Sequence, residues 1–146
     1  MNMVPDYFYG QSSVIPVRLI EGKVEVMVIS SRKNKRWVVP KGVVEPELSP
    51  QESAAKEALE EAGITGLVLR ESIGAFSYAK WGGVCSVQVY VMLVEEERVD
   101  WLESFRTRRW VSLQEAANLM VEPEMNAIIH AVPTFLKNHG VHHHHH

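Results

Sequence analysis

Two stretches of the chain, 13–20 and 23–30, are dense in Val and Ile with Glu21-Gly22 between them, the pattern of a β-hairpin. A polar, basic loop is expected over 31–35, followed by a short strand at 36–39 that Pro40 closes. From 41 to 48 no hydrophobic period is sustained, so this stretch reads as loop. The next segment changes character. Ser49 is a good N-cap, Pro50 suits the first helical position, and Glu52 completes a capping box with Ser49. Ala55, Ala58, Leu59 and Ala62 follow the i, i+3, i+4, i+7 spacing of a buried stripe, and Gly63 is the expected stop. The spacing predicts a helix over 50–62. Beyond it, 67–78 and 85–94 are β-rich runs flanking a turn at 80–83, and 109–111 is a further short strand. Ser112 can cap a helix from 113 to about 120, and 122–137 is a last helix that Pro133 is expected to bend. Strands mixed with one early helix and a helical C-terminus predict an α/β sandwich.

Composition adds mainly exclusions. Of the 146 residues, 142–146 read as a purification tag, which leaves 1–141 as a single domain with one core. Hydrophobic residues make up 46%, and no apolar run approaches the roughly 20 residues needed to span a bilayer. Residues 1–10 include Pro5 and Asp6 and do not form an apolar signal segment. A cytoplasmic protein with no membrane partner is expected. The lone Cys85 excludes an intrachain disulfide and falls in an expected strand, where a buried thiol is the ordinary outcome. A net charge of −3 gives no global pull toward a nucleic acid polymer. The local distribution is more telling: Arg32, Lys33, Lys35, Arg36 and Lys41 cluster, Arg106, Arg108 and Arg109 form a second group, and glutamates collect over 45–61.

The expected helix carries those glutamates in an unusual way. With about 100° per residue, Glu60 and Glu61 lie within about 60° of Glu57, opposite the alanine stripe. A glutamate face is ordinarily just solvated, but such faces intersperse Lys or Arg at i+4. Here the i+4 partner of Glu57 is Glu61, and Lys56 is the lone basic residue of the segment. Like charges at that spacing destabilise a helix by roughly 0.2–0.5 kcal/mol per pair. A divalent cation accounts for them better, and hard oxygen ligands without nearby Cys or His favour Mg2+ or Mn2+ over zinc. The helix alone suggests a metal, not a reaction.

Residues 42–64, GVVEPELSPQESAAKEALEEAGI, resemble the Nudix box, G-x5-E-x7-R-E-U-x-E-E-x-G-U with U a bulky aliphatic. Gly42, Glu57, Glu60, Glu61, Gly63 and Ile64 fall on the pattern, and Ala58 is a small version of an aliphatic position. Two positions depart: Lys56 stands where the family has Arg, and Leu48 where it has Glu. Outside the box, SSRKNKRWVVPKG, EPELSP, GAFSYAK and RRWVSLQEA are similar to the Nudix branch that hydrolyses diphosphoinositol polyphosphates and diadenosine polyphosphates, over roughly residues 14–125. The resemblance implies a Nudix-type α/β/α sandwich with a mixed β-sheet. It also implies an enzyme that hydrolyses a phosphoanhydride bond in a nucleoside-diphosphate-linked or polyphosphorylated small molecule. Glu57 and Glu61 are implied as ligands of Mg2+ or Mn2+, with the Gly42 carbonyl; Glu60 is implied as a further ligand or the general base. Bound metal would neutralise phosphate oxygens and acidify water, so the nucleophile is water. Lys56 keeps a charge but loses the planar fork of Arg, and Leu48 removes a carboxylate that Glu45 or Glu47 would have to replace.

The basic loop, Arg32, Lys33, Lys35 and Arg36, is expected to grip the polyanion, with Lys41 beside it and Arg18 and Lys80 as weaker candidates; of Arg106, Arg108 and Arg109 at least one is expected to reach the substrate, Arg108 first. Trp81, in a Gly-flanked turn, is the aromatic to test for nucleobase stacking. Glu95, Glu96 and Glu97 end a strand and read first as a solvated charged end. Alternatives stay open: a nucleoside-triphosphate pyrophosphatase, or a nucleotide-sensing module that does not cut. A homodimer built on the C-terminal helix also stays open.

Overall fold

The computed structural model describes residues 4–141; the histidine run lies outside the described residues. A short 3-10 turn (Asp6–Tyr9) leads into β1 (Gly10–Ile20), β2 (Lys23–Ser30), β3 (Trp37–Val38) and β4 (Lys41–Val43). Helix α1 (Pro50–Glu57) follows and continues into a π-helical turn, Ala58–Ala62. Then come β5 (Ile64–Val68), β6 (Gly74–Lys80), β7 (Gly83–Glu97), β8 (Arg108–Ser112), α2 (Leu113–Leu119), α3 (Pro123–His130) and α4 (Val132–Asn138).

Among the described residues the strands form one sheet with the path β3-β2-β1-β7-β5, to which β8 adds beside β2, β4 beside β1 and β6 beside β7. The β1–β7 pairing is parallel and the others are antiparallel, so the sheet is mixed. Side chains alternate across a strand, and the central strands are apolar on both faces. Val14, Met27, Ile29, Tyr90 and Met92 pack with Ala54, Ala58 and Ala62 of the α1 segment. Ile15, Val17, Val28, Val89 and Val91 pack with Ala116, Met125, Ile129 and Leu136 of the C-terminal helices on the other face. The result is the expected α/β/α sandwich with a mixed sheet. Cys85 is buried.

Several boundaries differ from the expectation, each for a local reason. The run 67–78 is not one strand: β5 and β6 pair with different halves of the long β7, Met92–Glu97 and Gly83–Val89 respectively. Lys41–Val43 is a strand on β1, too short for periodicity to reveal. The last helix divides at Ala131, with Pro133 in the first turn of α4, where its missing N–H costs no hydrogen bond. The buried helical stripe is Ala54–Ala58–Ala62 rather than one starting at Ala55. A helix that widens into a π turn keeps one face at steps of four residues. No helix among the described residues is long and apolar enough to cross a membrane.

Candidate active site

The capping box forms as its residues require. The Ser49 hydroxyl accepts from the Glu52 amide at 3.0 Å, and the Ser49 amide donates to the Glu52 carboxylate at 2.8 Å. Gly63 ends the segment in the left-handed region, φ +66°. A Cβ there would also lie 2.8 Å from Arg108 and the Trp101 ring.

A helix end leaves its last carbonyls without intrahelical partners. Here the segment before β8 supplies donors to four successive ones. The Glu103 amide donates to Glu60 at 2.9 Å and Trp101 Nε1 to Glu61 at 3.1 Å. Arg108 Nη1 donates to Ala62 at 2.9 Å, and the Arg98 amide to Gly63 at 2.7 Å. The Arg108 guanidinium also lies 4.1 Å over the Trp101 ring and donates to the Arg98 carbonyl at 2.6 Å. This remote strap holds the helical turn that carries Glu60 and Glu61.

That turn places Glu61 inside the protein at 9% exposure, where its Oε1 accepts from the Lys41 amide at 3.3 Å. Burial first, and then the charge of Glu57, push the Glu61 carboxyl up to about 8, with Arg106 opposing. Burial also raises Glu57, and the two carboxyls hydrogen-bond each other, with Glu61 donating and Glu57 accepting. Glu57 lies so close to the chain at Gly42 that a Cβ there would overlap its carboxylate. Gly42 is therefore needed for that close approach. Glu60 stands apart: Lys56 Nζ is 3.6 Å from it and 2.8 Å from Glu45, bridging the two. Glu45 thus reaches the helix through Lys56, while Glu47 is exposed.

A cavity of about 240 Å3 opens from Glu61 and Lys41, with Arg32, Arg36 and Arg106 in its walls and Phe76 and Met125 as apolar lining. Lys41 is lowered, chiefly by burial, and its Nζ lies 4.1 Å over the Tyr78 ring. Arg32 pairs with Glu103 at 3.1 Å and Arg36 with Glu122 at 3.3 Å. These cations are held by carboxylates that an incoming polyanion could displace.

Of the expected site residues, Arg32, Arg36, Lys41 and Glu61 line one cavity, while Glu57 adjoins Glu61 and packs on Gly42. Others stand elsewhere. Lys33 and Lys35 lie on the exposed loop, outside the cavity walls. Arg18 is directly opposite Glu25 across β1–β2, bonds it at 2.8 Å and covers Trp110, a cross-strand pair rather than a substrate contact. Arg108 is spent on the helix carbonyls. Arg106 takes the wall position instead: it is 7% exposed, bonded to the Ser30 carbonyl at 3.0 Å and paired with Glu103 at 3.0 Å. Trp81 packs edge-on against Phe8 and Tyr9 at the N-terminal turn, away from the cavity. Glu97 accepts from Trp110 at 3.0 Å. Glu103 and Tyr78 were not anticipated; the Phe-x-Tyr alternation of β6 was a usable signal for Tyr78, whereas nothing local marks Glu103.

Among the described residues, no group of three or more His, Cys, Asp or Glu is arranged to hold a metal ion. Two do come together. Glu57 and Glu61 are a pair of hard oxygen donors whose carboxyls burial raises, with Lys56 opposing at Glu57 and Arg106 at Glu61. That donor set fits a hard divalent cation. Glu60, turned to Lys56, does not yet join it.

The chain is 38% identical over 114 residues to "Nudix hydrolase 21, chloroplastic" of Arabidopsis thaliana, covering 75% of this chain and 57% of that protein. It is 32% identical over 119 residues to human diphosphoinositol polyphosphate phosphohydrolase 3-alpha, covering 80% of this chain and 71% of that one. The chain therefore spans little more than half the length of the plant relative. A crystal structure of a C. elegans Ap4A hydrolase binary complex superposes with a TM-score of 0.75 at 22% identity, covering 88% of this chain and 98% of that one, and shares the fold. The NUDIX domain model matches residues 11–132, and the chain belongs to the NUDIX domain family.

Proposed function

We propose that this protein hydrolyses a phosphoanhydride bond in a nucleoside-diphosphate-linked or polyphosphorylated small molecule, with Mg2+ or Mn2+ at the Glu57–Glu61 pair. The observation that carries the reading is that buried Glu61, set against Glu57, lines the same cavity as Arg32, Arg36 and Lys41. The cations would bind the phosphate chain, and Glu61 shares the cavity with them. Glu57 and Glu61 would hold the divalent ion, with the Gly42 carbonyl beside them. The ion would neutralise phosphate oxygens and lower the pKa of a bound water. Glu60, once released from Lys56, would either join the ligand set or serve as the general base toward water. The printed names of the human and nematode relatives, a diphosphoinositol polyphosphate phosphohydrolase and an Ap4A hydrolase, favour polyphosphate anhydrides as substrates.

The test is phosphate and pyrophosphate release from diadenosine polyphosphates, diphosphoinositol polyphosphates and nucleoside triphosphates, with Mg2+ or Mn2+, by wild type, Glu57→Gln and Glu60→Gln. Metal-dependent turnover that falls at least about 100-fold in both variants supports the reading. A second reading, a nucleotide-sensing module without chemistry, draws on the Lys56 bridge that holds Glu60 in an ion pair. Binding without turnover on any substrate would select it.

A further inference from the structure

Two carboxylates line the cavity, Glu61 and Glu122. Glu61 belongs to the proposed metal pair, whereas the proposed chemistry leaves Glu122 unused. Glu122 is the N-cap residue of α3, yet its side chain makes no cap hydrogen bond. It turns instead to Arg36, which donates to one carboxylate oxygen at 3.3 Å. A tight charge-assisted pair is about 2.7–2.9 Å long, so this one is loose. Glu103 is better supplied: it pairs with Arg32 and also with the buried Arg106, and so keeps a partner when a ligand draws Arg32 away. Among the described residues Arg36 is the one ion-pair partner of Glu122. The backbone at Glu122 is anchored, with Pro123 in the first turn of α3 and the Asn126 amide donating to the Glu122 carbonyl at 3.2 Å. A phosphate chain that draws Arg36 away therefore leaves the Glu122 carboxylate in the cavity wall without its donor. Lys41, whose ammonium feels the Glu122 charge, would be drawn to the same phosphates.

We propose that Glu122 is a specificity residue of this cavity: its carboxylate accepts a hydroxyl of the group that carries the phosphates, and it rejects groups on which phosphate replaces that hydroxyl. A hydroxyl supplies the hydrogen that the carboxylate lacks once Arg36 turns to the phosphates, while a phosphate brings only acceptors and more negative charge. A site built to bond a hydroxyl discriminates well, because the wrong ligand leaves its polar group unpaired. Like charge set against Glu122 adds a repulsive element of the kind that specificity often needs. The ligand class is therefore a sugar or polyol diphosphate with a free hydroxyl beside the diphosphate, rather than a ring phosphorylated at every position. The inference rests on the proposed function for the seat of the phosphates, and it narrows the substrates named there to the nucleoside-diphosphate-linked class.

Equilibrium binding in EDTA separates this inference from the hydrolase reading, because it needs no turnover. The probes are ADP, whose ribose carries free hydroxyls, and inositol hexakisphosphate, which has none. They are titrated into wild type, Glu122→Gln, Glu122→Lys and Glu124→Gln. Glu124 is exposed on the same helix and lies outside the cavity walls. Glu122→Gln should raise the affinity for inositol hexakisphosphate about tenfold relative to that for ADP, and Glu122→Lys should raise it further. Glu124→Gln should leave the ratio within about twofold. An equal gain for both probes would reduce Glu122 to a counter-ion of Arg36 and overturn the inference. An unchanged ratio, a shift as large in Glu124→Gln, or binding of neither probe to any of the four proteins would overturn it too. The hydrolase reading stands or falls separately, on turnover with Mg2+ or Mn2+.

Discussion

The two ends of the carboxylate helix are secured in opposite ways. At its start, Ser49 and Glu52 accept each other's amides and Pro50 brings no N–H to satisfy, all within four residues. At its finish, Glu103, Trp101, Arg108 and Arg98 satisfy the carbonyls of Glu60, Glu61, Ala62 and Gly63 from about 40 residues away. The first end is a stability device that any helix could carry. The second is where the π turn buries Glu61 and sets it against Glu57. The proposed chemistry sits at the end that tertiary structure holds, so damage to the two ends should separate stability from function.

The largest effect is expected where the carboxylate pair meets the backbone. Gly42→Ala must displace the Glu57 carboxylate, and steady-state turnover with Mg2+ should fall by about 100-fold or more. Turnover within threefold of wild type would remove the close approach at Gly42 from the site. Next comes the strap. Arg108→Ala strips charge-assisted donors from Ala62, Gly63 and Arg98, and should cost about 2–3 kcal/mol in urea unfolding together with a loss of kcat. If stability falls but kcat does not, the strap holds the fold and leaves the site alone.

Proton linkage gives a third test, on metal-free protein in EDTA. The Glu61 carboxyl lies above its unfolded value, so the folded state binds more protons than the unfolded one between about pH 4.5 and 8. Its contribution is fully present below that window and is lost as pH rises through it. Glu61→Gln should flatten this slope, which urea midpoints at pH 5 and 8 would read directly; an unchanged slope would show that the pair does not share a proton. The smallest effect belongs to the local end. Ser49→Ala should cost about 1 kcal/mol in unfolding and leave KM and kcat within twofold. A large kinetic effect there would abolish the distinction between the two ends.

The legible parts of this protein follow the same division. Strand alternation, the hairpin at Glu21-Gly22, the capping box and the Gly63 stop were all visible because each depends on residues near one another in sequence. The carboxylate face was visible as a repulsive pattern that needed an explanation, and the resemblance to the Nudix box supplied one. The basic cluster was visible too, but not its sorting. Arg32, Arg36 and Lys41 reach the cavity while Lys33 and Lys35 do not, and Arg106 rather than Arg108 enters the wall. Arg18 is taken by Glu25 through cross-strand register.

The sequence by itself determined where the helix begins, which residues alternate into the core, and which carboxylates were available for chemistry. These are consequences of short-range sterics, capping and hydrophobic period. Only the tertiary structure decided that the helix widens at Ala58, that Glu61 is buried with Glu57 while Glu60 goes to Lys56, and that Glu122 turns to Arg36. Those outcomes depend on which distant donors reach the terminal carbonyls and on which side chains lose water together. Neither quantity is a property of any one stretch of chain.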